Sequence, residues 1–286
     1  MKKFFVAAAS AALLLIPSLC WAQVDEPFET DFRGRIAAGA DFKLCKGLTL
    51  GLEEEFRVKD NFSSVDRFHT TLSLDYKVCP YFKIGAGYTL MNLHDYDEAS
   101  SSYEWTMRHR AFFDLTGMYK TVGGWKFSLR ERFQYTYRAG DMNVYQNPRN
   151  AMVLRTRAKV SYALHTKPIE PYLSVEIRNT LNGVHYSSQN YVNTIGDNVS
   201  YSDIYLNRVR IQPGLEWRLA KHHSLDFYLL GDYCYDKKHD ATSKGKLKEY
   251  KIDGVQQYDS NGKMLYCLYY RRTFNTSIGI SYKFSF

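Results

Sequence analysis

Long apolar runs are scarce in this 286-residue chain. Past the first two dozen residues, none approaches the roughly 20 residues of a membrane-crossing helix. Helical periodicity is missing too, since no stretch repeats its apolar residues at the three-and-four spacing of a helix face. Cysteine is sparse, with 5 in the whole chain, and neither a CxxC pair nor a Cys/His spacing suited to zinc occurs. No phosphate-cradling glycine loop, nucleotide fingerprint or carboxylate pair with a defined partner is present. The formal charge is +8, yet no dense basic cluster gathers it, which argues against a nucleic-acid partner. Together these absences speak against a helical domain, a zinc module and a nucleotide enzyme. No cofactor and no metal is expected.

The amino end is the one apolar exception. "MKKFFVAAASAALLLIPSLCWAQ" places two lysines before an apolar run from Phe4 to Ile16, followed by Pro17. Cys20 and Ala22 are small enough for the −3 and −1 positions of a signal-peptidase site. Cleavage before Gln23 makes residues 1–22 an export signal and 23–286 the mature domain, which carries a charge of about +6 once Lys2 and Lys3 are lost. Leu19 stands where a lipoprotein would need a small residue.

The mature chain is rich in aromatics that alternate with polar residues. Aromatics make up 16% of the chain, with 24 Tyr and 17 Phe, while the mean hydropathy is −0.42. That combination suits a sheet in which every second residue is polar. In "FRGRIAAGADFKL", Phe32, Ile36, Ala38, Ala40 and Phe42 share a face opposite Arg33, Arg35 and Asp41. Leu48, Leu50, Leu52, Phe56 and Val58 similarly oppose Glu53, Glu55 and Arg57. The same period continues to the carboxyl end and gives eleven strands, many longer than the roughly 9–11 residues that cross a bilayer at a tilt. Short connections ("CKG", "CPY", "TVGG", "TKPIE", "AKHH") alternate with long polar ones, and the longest is expected to hold its own hairpin at "DSNG". Trp105, Tyr119, Trp125, Tyr137, Trp217, Tyr233 and Tyr235 fall near strand ends, as girdles would. The expectation is an all-β fold: a closed antiparallel transmembrane β-barrel of about 10–12 strands, with short periplasmic turns and long extracellular loops. Its setting would be the outer membrane of a Gram-negative bacterium, with outer-membrane lipid and lipopolysaccharide as its surroundings. Two features resist this scheme. An antiparallel barrel needs an even count, and parity places Glu131 among lipid-facing residues.

Two resemblances refine the expectation. The end "SIGISYKFSF" resembles the carboxyl-terminal signal of bacterial outer-membrane proteins, through Tyr282, Phe284 and Phe286. That implies the barrel-assembly machinery as a partner. The stretches "GLTLGLEEEFRV", "YFKIGAGYTL", "LRERFQYT" and "KHHSLDFYLLGDY" are similar to an uncharacterised family of outer-membrane barrels common in Bacteroidota, domain-of-unknown-function family 2490. The likeness implies architecture and supplies no known activity.

Parity also assigns an interior. Arg108, Arg110, Arg130, Arg132, Arg155, Arg157, Arg178, Arg208, Arg210 and Arg218 point inward, with Glu53, Glu55, Asp75, Asp114, Glu176, Glu216, Asp226 and Asp232. Mixed charge in a narrow lumen reads first as cross-strand ion pairs that fill a small barrel. An arginine-lined pore favouring anions is the functional alternative. His185 and Ser187, in "HYSSQN", resemble the His-x-Ser motif of outer-membrane phospholipases and lipid A deacylases, which would make the chain a lipase. Those enzymes have Asn after the Ser, whereas Ser188 stands here. A solvated polar loop is the preferred reading of the motif. "HDYDEAS" offers His94, Asp95, Asp97 and Glu98 to a divalent cation. The four mature cysteines read as free thiols, or else as the pairs Cys234–Cys267 and Cys45–Cys79 within each rim.

Overall fold

A computed structural model describes residues 28–97, 102–139, 149–164, 166–183, 190–192, 204–239, 247 and 249–286. Among them there is no helix. Eleven long strands follow one another: β1 (Phe28–Cys45), β2 (Leu48–Lys59), β3 (Ser64–Cys79), β4 (Phe82–Asp97), β5 (Ser102–Lys120), β6 (Trp125–Arg138), β7 (Asn150–Tyr162), β8 (Ile169–Thr180), β9 (Tyr205–Ala220), β10 (His223–His239) and β11 (Leu265–Ser285). Each pairs with its chain neighbour, and β1 pairs with β11, so the sheet closes into a barrel.

The eleven strands match the sequence count, but their closure corrects the antiparallel expectation at one place. Ten of the pairings are antiparallel; β1 and β11 run parallel, in register from Phe28 opposite Arg272 to Asp41 opposite Ser285. With an odd number of alternating strands, the first and last must point the same way. A parallel ladder is then the one arrangement that leaves neither edge open. No extra strand is missing.

Short turns gather at the rim where β11 ends. There the Phe286 N–H donates to the Asp41 carbonyl and the Ser285 N–H to the carbonyl of His222, while the Phe286 ring stacks on Phe42 at 4.5 Å. The opposite rim carries the longer connections, with two exceptions, the turn after β2 and the four-residue link between β4 and β5. Asp60–Phe62 turns tightly through three positive-φ residues, and Phe62 packs edge-on against Phe32. The 92–102 stretch also departs from the loop expectation, because Asn92–Asp97 lies within β4 and pairs with Ser102–Met107 of β5. The longest connection holds the expected turn, closed by Gly262 N–H to the Asp259 carbonyl, and a second hairpin at Asp253–Gly254 that sequence reading missed.

The packing is inverted relative to a water-soluble domain. Ile36, Leu129 and Ile278, on three different strands of the outer wall, are 59%, 53% and 52% exposed. In water each such side chain would forgo about 1 kcal/mol of burial, and the wall carries dozens of them. Trp105, Tyr119, Tyr137 and Trp217 are exposed toward the strand ends. The interior instead buries Asp66, His69, Asp114, Gln134, Glu176 and Asp232. Glu131 does face outward; its carboxylate accepts a hydrogen bond from Thr156 Oγ1 at 2.9 Å on the adjacent strand. A second outward carboxylate, Glu54, accepts one from Thr70 in the same way at 2.9 Å. Cross-strand threonines thus supply a donor where a carboxylate interrupts the apolar wall.

The parallel seam has a checkable register. Cysteines introduced at Ala38 and Tyr282, which are directly paired, are expected to form a disulfide on mild oxidation, visible by peptide mass mapping. The offset pair Ala38→Cys with Ile278→Cys should stay reduced, its sites being four residues out of register. The reverse result would disprove the seam.

Candidate functional site: the charged lumen

Alternation along each strand turns the polar residues inward, and the register sets them in rows around the barrel. One row runs Asp114, Arg132, Arg155, Arg178, Arg208 and Cys234 across β5 to β10. The row below it runs Thr116, Arg130, Arg157, Glu176, Arg210 and Asp232. Every lumen arginine named from parity lies on this inner face, so the ladder brings together what sequence could only place strand by strand.

Two carboxylates anchor the network. Glu176, 5% exposed, accepts both Nε and Nη2 of Arg155 at 2.6–3.0 Å, and Nη1 of Arg210 at 3.3 Å. Arg130 stands 3.5 Å from its other oxygen. Asp232 takes Nη2 of Arg210 at 3.0 Å and lies 3.5 Å from Nε of Arg208. Nearby, Asp114 receives a two-pronged bond from Arg132, with both contacts at 2.6 Å. Glu55 bonds Arg57 at 2.5 Å and approaches His69 at 3.4 Å. Glu53 and Glu216 lie lower and are more open; Glu216 stands 3.9 Å from Lys159. A carboxylate shared by three guanidiniums in a desolvated site is the costly kind to remove, because its loss strands the cations.

Three inward aromatic rings lie against glycines on adjacent strands, Phe112 one row above the Asp114 row, and Tyr172 and Tyr228 together in a row below the arginine rows. Phe112 covers Gly87, Tyr172 covers Gly214, and Tyr228 covers Gly279; each pair is in direct register. A methyl group on any of those glycines would come within 2.0–2.3 Å of the ring. The missing side chain is what lets each ring lie against the backbone of the neighbouring strand. Arg132 stacks on Phe112 at 4.1 Å and Lys159 on Tyr172 at 3.9 Å. Tyr172 also donates to Asp226 at 3.0 Å and accepts from Gln212 at 2.8 Å. None of these three rings stood out in the sequence. The signal that could have found them is an aromatic opposite a glycine in adjacent inward positions.

Among the described residues the lumen holds two cavities. On the long-loop side is a cavity of about 430 Å³ lined by Arg35, Arg110, Arg157 and Arg178 among others, and on the short-turn side one of about 350 Å³ beside Asp41, Glu216 and Lys283.

The other sequence candidates separate. His185 and Ser187 lie outside the described residues. His94 turns outward and stacks on Tyr103 and Trp105, whereas Asp95 approaches Lys59 at 3.7 Å and Arg108 at 3.5 Å. Adjacent strand residues face opposite sides, so these two cannot share a cation, and no metal cluster forms among the described residues. His222 and His223 serve the last strand instead: Nδ1 of His223 lies 2.6 Å from the hydroxyl of Tyr282. Cys45, Cys79 and Cys234 carry free thiols, and Cys267 forms no disulfide, in line with the free-thiol reading. Cys234 stands opposite Thr273, so the alternative bridge to Cys267 fails because the register separates them by six residues.

Removing the shared carboxylate should be far more damaging than removing an open one. Glu176→Gln is expected to cost about 3–5 kcal/mol, and Glu216→Gln, at a pair half open to solvent, under about 1 kcal/mol. Urea unfolding of the two variants in detergent checks the contrast, and equal losses would overturn the assignment.

Compared with known families, residues 36–243 match the family described as "Protein of unknown function (DUF2490)". No curated protein matches the chain.

Proposed function

We propose that this chain, which belongs to the DUF2490 family, is an integral outer-membrane barrel of a Gram-negative bacterium, in line with its likeness to barrels common in Bacteroidota. Its role is that of a scaffold that holds long loops at the cell surface around a lumen blocked midway. The observation that carries this reading is the inverted wall. Apolar side chains cover the outside around the closed sheet, and ion pairs fill the inside. A lipid surround is the solvent in which that arrangement is stable, and closure satisfies every backbone group there.

The short turns and Phe286 then face the periplasm, and the long connections face outward. Residues 1–22 act as the export signal. Tyr282, Phe284 and Phe286 are presented to the barrel-assembly machinery before the strand docks, and afterwards Phe286 rests on Phe42. Eleven strands fall between the eight that side chains can fill and the sixteen that leave a water channel. The inward rings of Phe112, Tyr172 and Tyr228 are what support a closed scaffold over a diffusion pore.

Two measurements test the proposal. Expressed with its export signal, the protein should stay in the outer-membrane fraction through alkaline carbonate washing; release by carbonate would refute the membrane reading. In planar bilayers the native protein should give no steady conductance, while Tyr172→Ala combined with Tyr228→Ala should open steps that favour anions. Steady conductance of the native barrel would refute the blocked lumen.

A further inference from the structure

The larger cavity holds more positive charge than its own acids can balance. Twelve arginines and four carboxylates line it, an excess of eight positive charges. Those acids are already engaged. Glu176 and Asp232 hold the anchored arginines described above, Asp66 receives two bonds from Arg67 at 2.9 Å, and Asp236 accepts from Asn207 and Cys234.

Arg178 is the sharpest case. It stands between Arg155 and Arg208 in the ladder, and both of those lean away toward carboxylates of the row below. Among the described residues no carboxylate lies within ion-pair reach of Arg178, nor of Arg35, Arg110 or Arg157. The Nε–H groups of Arg178 and Arg35 are buried without an acceptor. Like charges side by side in a sheet are destabilising, and a buried guanidinium without a counter-charge is costly. An arrangement of this kind is stable when an anion completes it.

We propose that this cavity binds a compact oxyanion group, phosphate or sulfate, held by Arg178 together with Arg35, Arg110 and Arg157. The guanidinium forks suit the geometry, since each can give two parallel N–H bonds to two oxygens of a tetrahedral anion. Chloride offers no such pair of acceptors. At about 430 Å³ the cavity also has room for a small polar body behind the charged group. Asn182, Tyr205 and Asn207 line its long-loop side, the side from which a solute would enter. The charged group is thus either a free ion or the end of a small solute such as a sugar phosphate. The site is a property of the lumen and does not depend on where the barrel resides, so it can stand or fall separately from the membrane reading.

The test is calorimetric titration of the purified full-length barrel in uncharged detergent, at constant ionic strength. Inorganic phosphate and sulfate should each bind saturably and chloride should not. Arg178→Gln should weaken phosphate binding about tenfold or more, the loss of one charge-assisted contact. Arg178→Lys, which keeps the charge without the fork, should fall between the two. Tighter binding of glucose 6-phosphate than of phosphate would assign the end group of a solute, and equal or weaker binding the free ion. Absence of saturable oxyanion binding by the native protein would overturn the proposal whatever the variants do. So would unchanged affinity in a folded Arg178→Gln barrel.

Discussion

The structure rests on the seam between β1 and β11. A sheet with an apolar outside can exist only if no edge is left unpaired, and here the edge is sealed by strands that run the same way. Parallel ladders are slightly weaker per residue than antiparallel ones. Side chains reinforce this one at both ends: Arg271 bonds Glu29 at 2.5 Å near one rim, and Lys283 lies 2.6 Å from Asp41 near the other. Once the seam is fixed, the register of every other strand follows from its neighbour, and so do the rows that the lumen side chains form.

Closure also decides the electrostatics. Curling the sheet brings the inner ends of eleven strands into one narrow space, so charges that are solvated on an open sheet must find partners. The network solves this locally around Glu176 and Asp232, with few acids serving many arginines. The inward rings of Phe112, Tyr172 and Tyr228 reduce the space to be filled. The long-loop side of the lumen stays positive, and its charges come largely from rows other than that of the two tyrosines.

Much of this was legible in the sequence because a strand has a period of two. The lumen arginines from Arg108 to Arg210, the inward Glu176 and the outward Glu131 all follow from parity alone. So does the number of strands, which the eye can count from alternation. Parity is silent about what happens between strands. It could not show that Arg178 sits between two arginines, that Tyr228 lies over Gly279, or that Cys234 faces Thr273 instead of Cys267, because those relations depend on register. The parallel closing pair follows from the odd strand count, and only the rule that antiparallel barrels have even numbers stood against it. His94 and Asp95 looked like ligands for one ion because they are adjacent in sequence, and adjacency in a strand is what puts them on opposite faces.

The parallel seam also fixes how far apart the ends of the sheet lie. β1 starts level with Arg272 and the chain reaches Ser285 thirteen residues further along the same ladder, a separation of about 40 Å at the rise of an extended strand. In barrels with an even count the two ends meet at one rim, where a short linker can join them and new ends can be opened at any loop. Here joining them would take a linker as long as the barrel is tall, routed through the lumen or around the wall. Duplication of a hairpin adds two strands and preserves parity, so it cannot turn an even barrel into this one. Only an odd number of strands gained or lost changes that parity, and any such change carries one end of the sheet to the opposite rim.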